Sequence, residues 1–489
     1  MALIPSLETM AQHSLDPEDW SGVRAQGHKM LDDMLDHLES LRGQPVWRAP
    51  SQALRERFRE PLPTAPRDLA EVHQSFLETV LPCSSGNAHP GFMGWVQGGG
   101  TVVGMLAEML AAGMNANLGG RDHMALEVEQ QVVAWAREIF GFPATASGLF
   151  LTGASQANFL AVLVARRRAL GAAVRTAGLS AEGLGLRAYA SAAVHGCVSR
   201  AMDMAGLGSA ALRRVAADAA QQIELPALRA AIAADRAAGF TPFLLVGSAG
   251  TVDVGALDDL AALADIAACE GLHFHVDGAL GGLGVLAPSI APRLAGIERA
   301  DSIALDWHKW GQAPYDAGFL LVRDGELHRA TFAAEASYLQ RAERGLAAGD
   351  WWPCDYGPDL SRGFRALKTW FTLKTYGAAA LGAVIEQTCA LAQALAERIR
   401  AEPDLELAAP VALNVVCFRV LDADADALNA EVVMRLHEGG VVAPSLARVG
   451  GQAVIRAAIV NHRTELRDIE ALVEATLEMG RQCRHRPAA

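Results

Sequence analysis

Residues 301–324 read "DSIALDWHKWGQAPYDAGFLLVRD" and hold one lysine, Lys309, between His308 and Trp310 in mostly apolar company. The runs "DSIALD" and "GFLLVRD" on either side are strand candidates. A buried amine loses part of its preference for the charged form, because desolvation disfavours the ammonium. A neutral amine attacks carbonyl carbons. The plain alternative is a surface lysine at a strand edge, so the rest of the chain has to decide.

Upstream, apolar strand candidates alternate with helical stretches. "GLFLT" (148–152) runs into "SQANFLAVLVARRRAL", "RAYASAA" (187–193) into "HGCVSRAMDMAG", and "PFLLVGSAG" (242–250) into "LDDLAALADIAACEG". "LHFHVD" follows, then the lysine stretch. This alternation predicts an α/β domain over 86–366 with a largely parallel central sheet, whose ligands bind beyond the carboxyl ends of the strands. From 367 the pattern changes to a long helix, short strands around "NVVCFRVL" and "QAVIRAAIV", and a last helix at 464–482, a smaller C-terminal α+β domain over 367–489. Residues 1–85 read as an N-terminal helical segment. Asp16–Pro17 opens a helix whose Met30, Leu31, Met34, Leu35, Leu38 and Leu41 form one apolar stripe. That stripe needs the main body or a second subunit to cover it.

Composition narrows the function. The 489 residues are 51% hydrophobic and 20% charged, with 47 glycines, which fits a multidomain globular protein. A net charge of −13 disfavours nucleic acid or an anionic membrane as partner. The seven cysteines are scattered, without a CxxC pair, and read as thiols of a reducing compartment. The first 20 residues lack the basic start and apolar core of a signal peptide, and no uninterrupted apolar run reaches bilayer-spanning length. A soluble cytoplasmic protein is the expectation.

Four segments at strand ends carry the chemistry. Gly153–Ala154–Ser155 starts a helix directly after a strand, where open backbone N–H groups and the Ser155 hydroxyl suit a phosphate, although such turns also occur for steric reasons alone. In "LHFHVDGALGG" the period-2 alternation places His273, His275 and Asp277 on one face. These three could ligate zinc as a hydrolase would, Asp277 could pair with a protonated ring nitrogen, or it could be a satisfied core aspartate. His195 begins a helix after a strand, as a cap or as a catalyst. Lys309 is the fourth. A phosphate cradle, an acid for a ring nitrogen, a flat side chain and an amine together match the needs of pyridoxal phosphate (PLP).

With "SIALDWHK" followed by "WGQAPYDAGFLLVR", the chain resembles the group II PLP-dependent amino-acid decarboxylases, the family of aromatic-amino-acid and glutamate decarboxylases. The likeness runs from "LDPEDWSGVRAQGHKMLDDMLDHL" to "VIRAAIVNHRTELRDIEALV". It implies a fold type I homodimer acting on a small amino acid, with the N-terminal segment wrapping the partner. It further implies that Lys309 carries the cofactor as a Schiff base, Asp277 pairs with its ring nitrogen, and Ala279 and His195 flank the ring. Ala154 and Ser155 would hold the phosphate, with Ser248, Asp306 and His308 also at the cofactor. A loop tyrosine would return a proton to the product, with Tyr338 the nearest candidate and Tyr356 a weaker one. Three positions depart from the family pattern: Val252 replaces a threonine, Asp306 an asparagine, and Trp95 a tyrosine or glutamine. Apolar Trp95 and Phe92 favour an aromatic or apolar substrate side chain. Oxidative deamination to an aldehyde on the same scaffold is the alternative outcome.

Overall fold

The computed structural model describes residues 14–334 and 340–484. Its twelve strands are β1 Phe92–Met93, β2 Ser147–Leu151, β3 Leu186–Ser191, β4 Leu212–Val215, β5 Thr241–Ser248, β6 His273–Asp277, β7 Ser302–Asp306, β8 Gly318–Val322, β9 Leu405–Leu407, β10 Val415–Val420, β11 Ala443–Val449 and β12 Gln452–Ala458. Seven form one sheet in the order β2-β8-β7-β6-β5-β3-β4, and five form a second in the order β1-β11-β12-β10-β9. In the larger sheet β4, β3, β5, β6 and β7 run parallel, while β8 is antiparallel to both β7 and β2. Every residue of β2, β6, β7 and β8 is buried, as expected of strands covered on both faces. Ser248 pairs with Asp277 at the ends of β5 and β6, which lines up the carboxyl ends of neighbouring strands.

The chain divides into two compact units, Met1–Gln44 with Arg48–Ser84, and Pro45–Trp47 with Ser85–Ala489. In the first, no residue of the helix Trp20–Ser40 is buried. In the second, β1 lies early in the chain yet joins the C-terminal sheet, parallel to β11. The helix Arg365–Arg400 is long and apolar enough by length and composition to cross a bilayer, although Lys368, Lys374, Glu386 and Glu397 interrupt its apolar runs. Ile385, Ala392, Leu395 and Ile399 bury it in the protein core instead, and Gly377, at φ +80°, kinks it.

The polar face of β6 is sealed by hydrogen bonds. His273 Nε2 and His275 Nδ1 both contact Ser302 Oγ, at 2.9 and 2.8 Å, and His275 Nε2 lies 2.7 Å from Asn158 Oδ1. Burial pushes His273 down to about 4 and His275 down to about 3. Between those values and the ordinary 6.5, the unfolded chain binds more protons than the folded one. The stability these histidines contribute is therefore full above pH 6.5 and lost as pH falls toward 3–4, by up to about 1.4 kcal/mol per pH unit for each. Urea denaturation between pH 7 and 5 should show a shallower loss in His275→Gln than in the native chain. Equal slopes would assign the acid lability to other groups.

Candidate active site

The carboxyl ends of β6 and β7 and the turn after β2 open on a cavity of about 480 Å³. Lys309, Asp277, Asp306, His308, Ala279, His195, Ala154 and Ser155 all line it. Four segments separated by up to 155 positions in sequence thus meet in one place, because parallel strands end on the same edge of the sheet. The lysine loop is held by its neighbours. Trp307 and Trp310 are each 1% exposed, Gln312 Nε2 donates to the Val460 carbonyl at 2.8 Å, and the Gly98 N–H donates to the His308 carbonyl at 3.2 Å. A Cβ on Gly98 would lie 2.4 Å from that carbonyl oxygen and 2.6 Å from the next, so only glycine admits this approach. With the tryptophans in the core, Lys309 is left facing the cavity.

Lys309 Nζ lies 2.7 Å from Asp306 Oδ2 in an ion pair, and the Asp306 Oδ1 accepts from the Ala154 N–H at 2.7 Å. His308 Nδ1 accepts from the Ala317 N–H at 3.0 Å, so its proton sits on Nε2, 3.5 Å from Asp306 Oδ1. Burial holds the His308 imidazole below its usual range, and the Tyr315 ring lies against it at 4.2 Å. Asp277 is buried and, among the described residues, accepts one hydrogen bond, from the Ala279 N–H at 3.2 Å, and makes no ion pair. Burial pushes its carboxyl up, opposed by the Lys309 charge. A buried carboxylate left without a cation is costly, and it suits a ligand that brings one.

Three expected residues lie elsewhere. Ser248 is buried at the end of β5, its N–H donating to Asp258 Oδ2 at 2.8 Å, and does not line the cavity, although Gly250, Val252 and Asp253 of the following turn do. Phe92 is 4% exposed and packs with Val46 and Ala443. It stacks under Trp95 at 6.1 Å and acts on the cavity only through that ring. Tyr356 packs against His328 and Trp351 away from the cavity, and Tyr338 lies outside the described residues. The zinc alternative fails on the hydrogen bonds: three of the four nitrogens of His273 and His275 face Ser302 or Asn158. Among the described residues no three His, Cys, Asp or Glu side chains gather to hold a metal.

Sequence reasoning missed Arg456, Asn158 and Tyr315, which also line the cavity. Arg456 comes from β12, where it donates to the carbonyls of Trp95, Val252 and Asp253. Only its position inside the strand "QAVIRAA", where a charge is unexpected, marks it in the sequence.

The residues present fit PLP. The helix Ala154–Leu170 offers an anion its N-terminus with Ser155 beside it, Asp277 offers a carboxylate for a ring nitrogen, and Ala279 leaves room for a flat ring. Fold and site therefore define a fold type I PLP enzyme. The pyridoxal-dependent decarboxylase conserved domain matches residues 50–421. Aromatic-L-amino-acid decarboxylase of Bacillus atrophaeus is 31% identical over 453 residues, 90% of this chain and 92% of the relative. Phenylacetaldehyde synthase of Arabidopsis thaliana is 27% identical over 475 residues, 93% and 95% of the two chains. The crystal structure of Oryza sativa TDC with PLP and tryptamine is similar at a TM-score of 0.87 and 26% identity, covering 96% of this chain and all of that one. The chain belongs to the pyridoxal-dependent decarboxylase family, and it is a PLP-dependent amino-acid decarboxylase.

Proposed function

We propose that the chain converts an L-amino acid with an aromatic or other apolar side chain to its amine and carbon dioxide, with the cofactor attached at Lys309. The observation that carries this reading is the convergence of Lys309, Asp277 and the Ser155 helix start on one cavity. When bound, PLP supplies the sink for the electron pair released as the Cα–carboxylate bond breaks. Ser155 and the helix N-terminus would hold the phosphate, and Asp277 would keep a proton on the ring nitrogen. His195 Nδ1 accepts from the Cys197 N–H at 3.2 Å, so its proton sits on Nε2. Arg456 offers positive charge to the carboxylate of an incoming amino acid.

Trp95, 58% exposed at φ +48°, shares the cavity wall with Val252, Leu280 and Leu446, which favours an apolar side chain. Screening amino acids for amine and carbon dioxide release should find aromatic substrates preferred. Trp95→Ala should raise KM for them about fivefold, the loss of roughly 1 kcal/mol of ring contact, with kcat little changed. A preference for glutamate or aspartate would overturn this. Kinship with phenylacetaldehyde synthase raises the aldehyde outcome; His195 in the cavity favours the amine. Aldehyde, ammonia and peroxide in place of amine would reverse that choice. The enzyme is a homodimer in this reading, supported by the helix Trp20–Ser40 without a buried residue and by exposed Met109, Leu110 and Met114 on the helix Val102–Met114. Light scattering on the purified chain tests it. Seven free cysteines support a reducing, cytoplasmic setting.

A further inference from the structure

Asp306 is the charge in the cavity that is hardest to reconcile with a phosphate-bearing ligand. It is 5% exposed and lies at the start of the helix Ala154–Leu170, the end of the cavity suited to an anion. Its Oδ1 takes the Ala154 N–H and its Oδ2 takes the Lys309 ammonium, both at 2.7 Å. Gly153 is close enough that a Cβ there would lie 3.7 Å from Oδ1, and His308 Nε2 is 3.5 Å away. One carboxylate thus holds an amide that a phosphate would use and the amine that an aldehyde would need.

Given the cofactor reading above, on which this rests, we propose that Asp306 is a positioning residue that weakens retention of the cofactor and keeps it exchangeable. The effect has two parts of the same sign. A carboxylate beside a phosphate dianion repels it. Attachment of an aldehyde to Lys309 consumes the free amine and releases one water, so an ammonium paired with Asp306 must first give up a proton. Asparagine keeps an oxygen to accept from the Ala154 N–H, removes the negative charge, and adds an N–H donor for the phosphate.

The test is cofactor binding rather than turnover. Native chain and Asp306→Asn are stripped of cofactor and titrated with PLP, following the absorbance of the lysine-bound form. Separately, inorganic phosphate is added to the stripped proteins and the melting temperature recorded. Asp306→Asn should bind PLP about tenfold or more tightly and gain more from phosphate than the native chain. Equal or weaker binding by the variant overturns the inference alone. No lysine-bound absorbance in either protein overturns the cofactor reading and the inference together. Should Asp306→Asn not fold, Asp306→Ser carries the same expectation.

Discussion

Lys309→Ala abolishes covalent retention of the cofactor and lowers the decarboxylation rate on the order of 10⁴-fold or more, the scale on which removing a covalent nucleophile acts. The size follows from placement. Nothing else in the loop can substitute: Trp307 and Trp310 are core residues, and His308 is held between the Ala317 N–H and Asp306. Lys368, buried against Glu108, lies outside the cavity. Borohydride reduction followed by mass spectrometry of peptides should find the adduct on Lys309 in the native chain and none in the variant. An adduct at another lysine, or a variant within tenfold of native activity, would remove the site from Lys309. The variant should still fold, since Lys309 is 20% exposed and its loss opens no core void, but with lowered stability, because the buried Asp306 carboxylate loses its ammonium partner.

Asp277→Asn should lower kcat by roughly 10²–10⁴-fold with little change in KM, because it removes the carboxylate that would pair with the bound cofactor's ring nitrogen, and losing one partner of such a buried pair costs about 3–5 kcal/mol. The stability of the cofactor-free protein should move the other way or not at all. Burial raises the Asp277 carboxyl above its usual value. A group raised on folding contributes stability at low pH that is lost as pH rises through its folded value. At neutral pH the buried carboxylate therefore opposes folding until a cation meets it, and a neutral amide relieves that cost. Melting temperature without cofactor and kcat with it should separate the two effects. A variant that loses stability in step with activity would show a structural role only.

Much of this was legible in sequence because it depends on local chemistry. A strand followed by small residues and a helix, "FLTGAS", places backbone N–H groups where an anion can meet them whatever packs around it. Period-2 alternation in "HFHVD" put His273, His275 and Asp277 on one face, and β6 has that form. The lysine signature marked Lys309 before any contact was known.

What the chain alone could not express was which partner each polar group takes. His273 and His275 match a metal pattern by spacing, and only the neighbouring strand and helix, through Ser302 and Asn158, turn them into a hydrogen-bonded layer. Lys309 reads as a lone amine, and only the fold of its own loop brings Asp306 to it. Phe92 and Trp95 read as a pair, but the pairing of β1 with β11 buries one and leaves the other at the cavity. Arg456, 147 positions beyond the lysine, reaches the site although β12 lies in a different sheet from the strands that flank the lysine. Backbone periodicity and turn chemistry are local and so are written in sequence. Desolvation and ion pairing depend on distances between segments far apart in the chain, which tertiary packing alone determines.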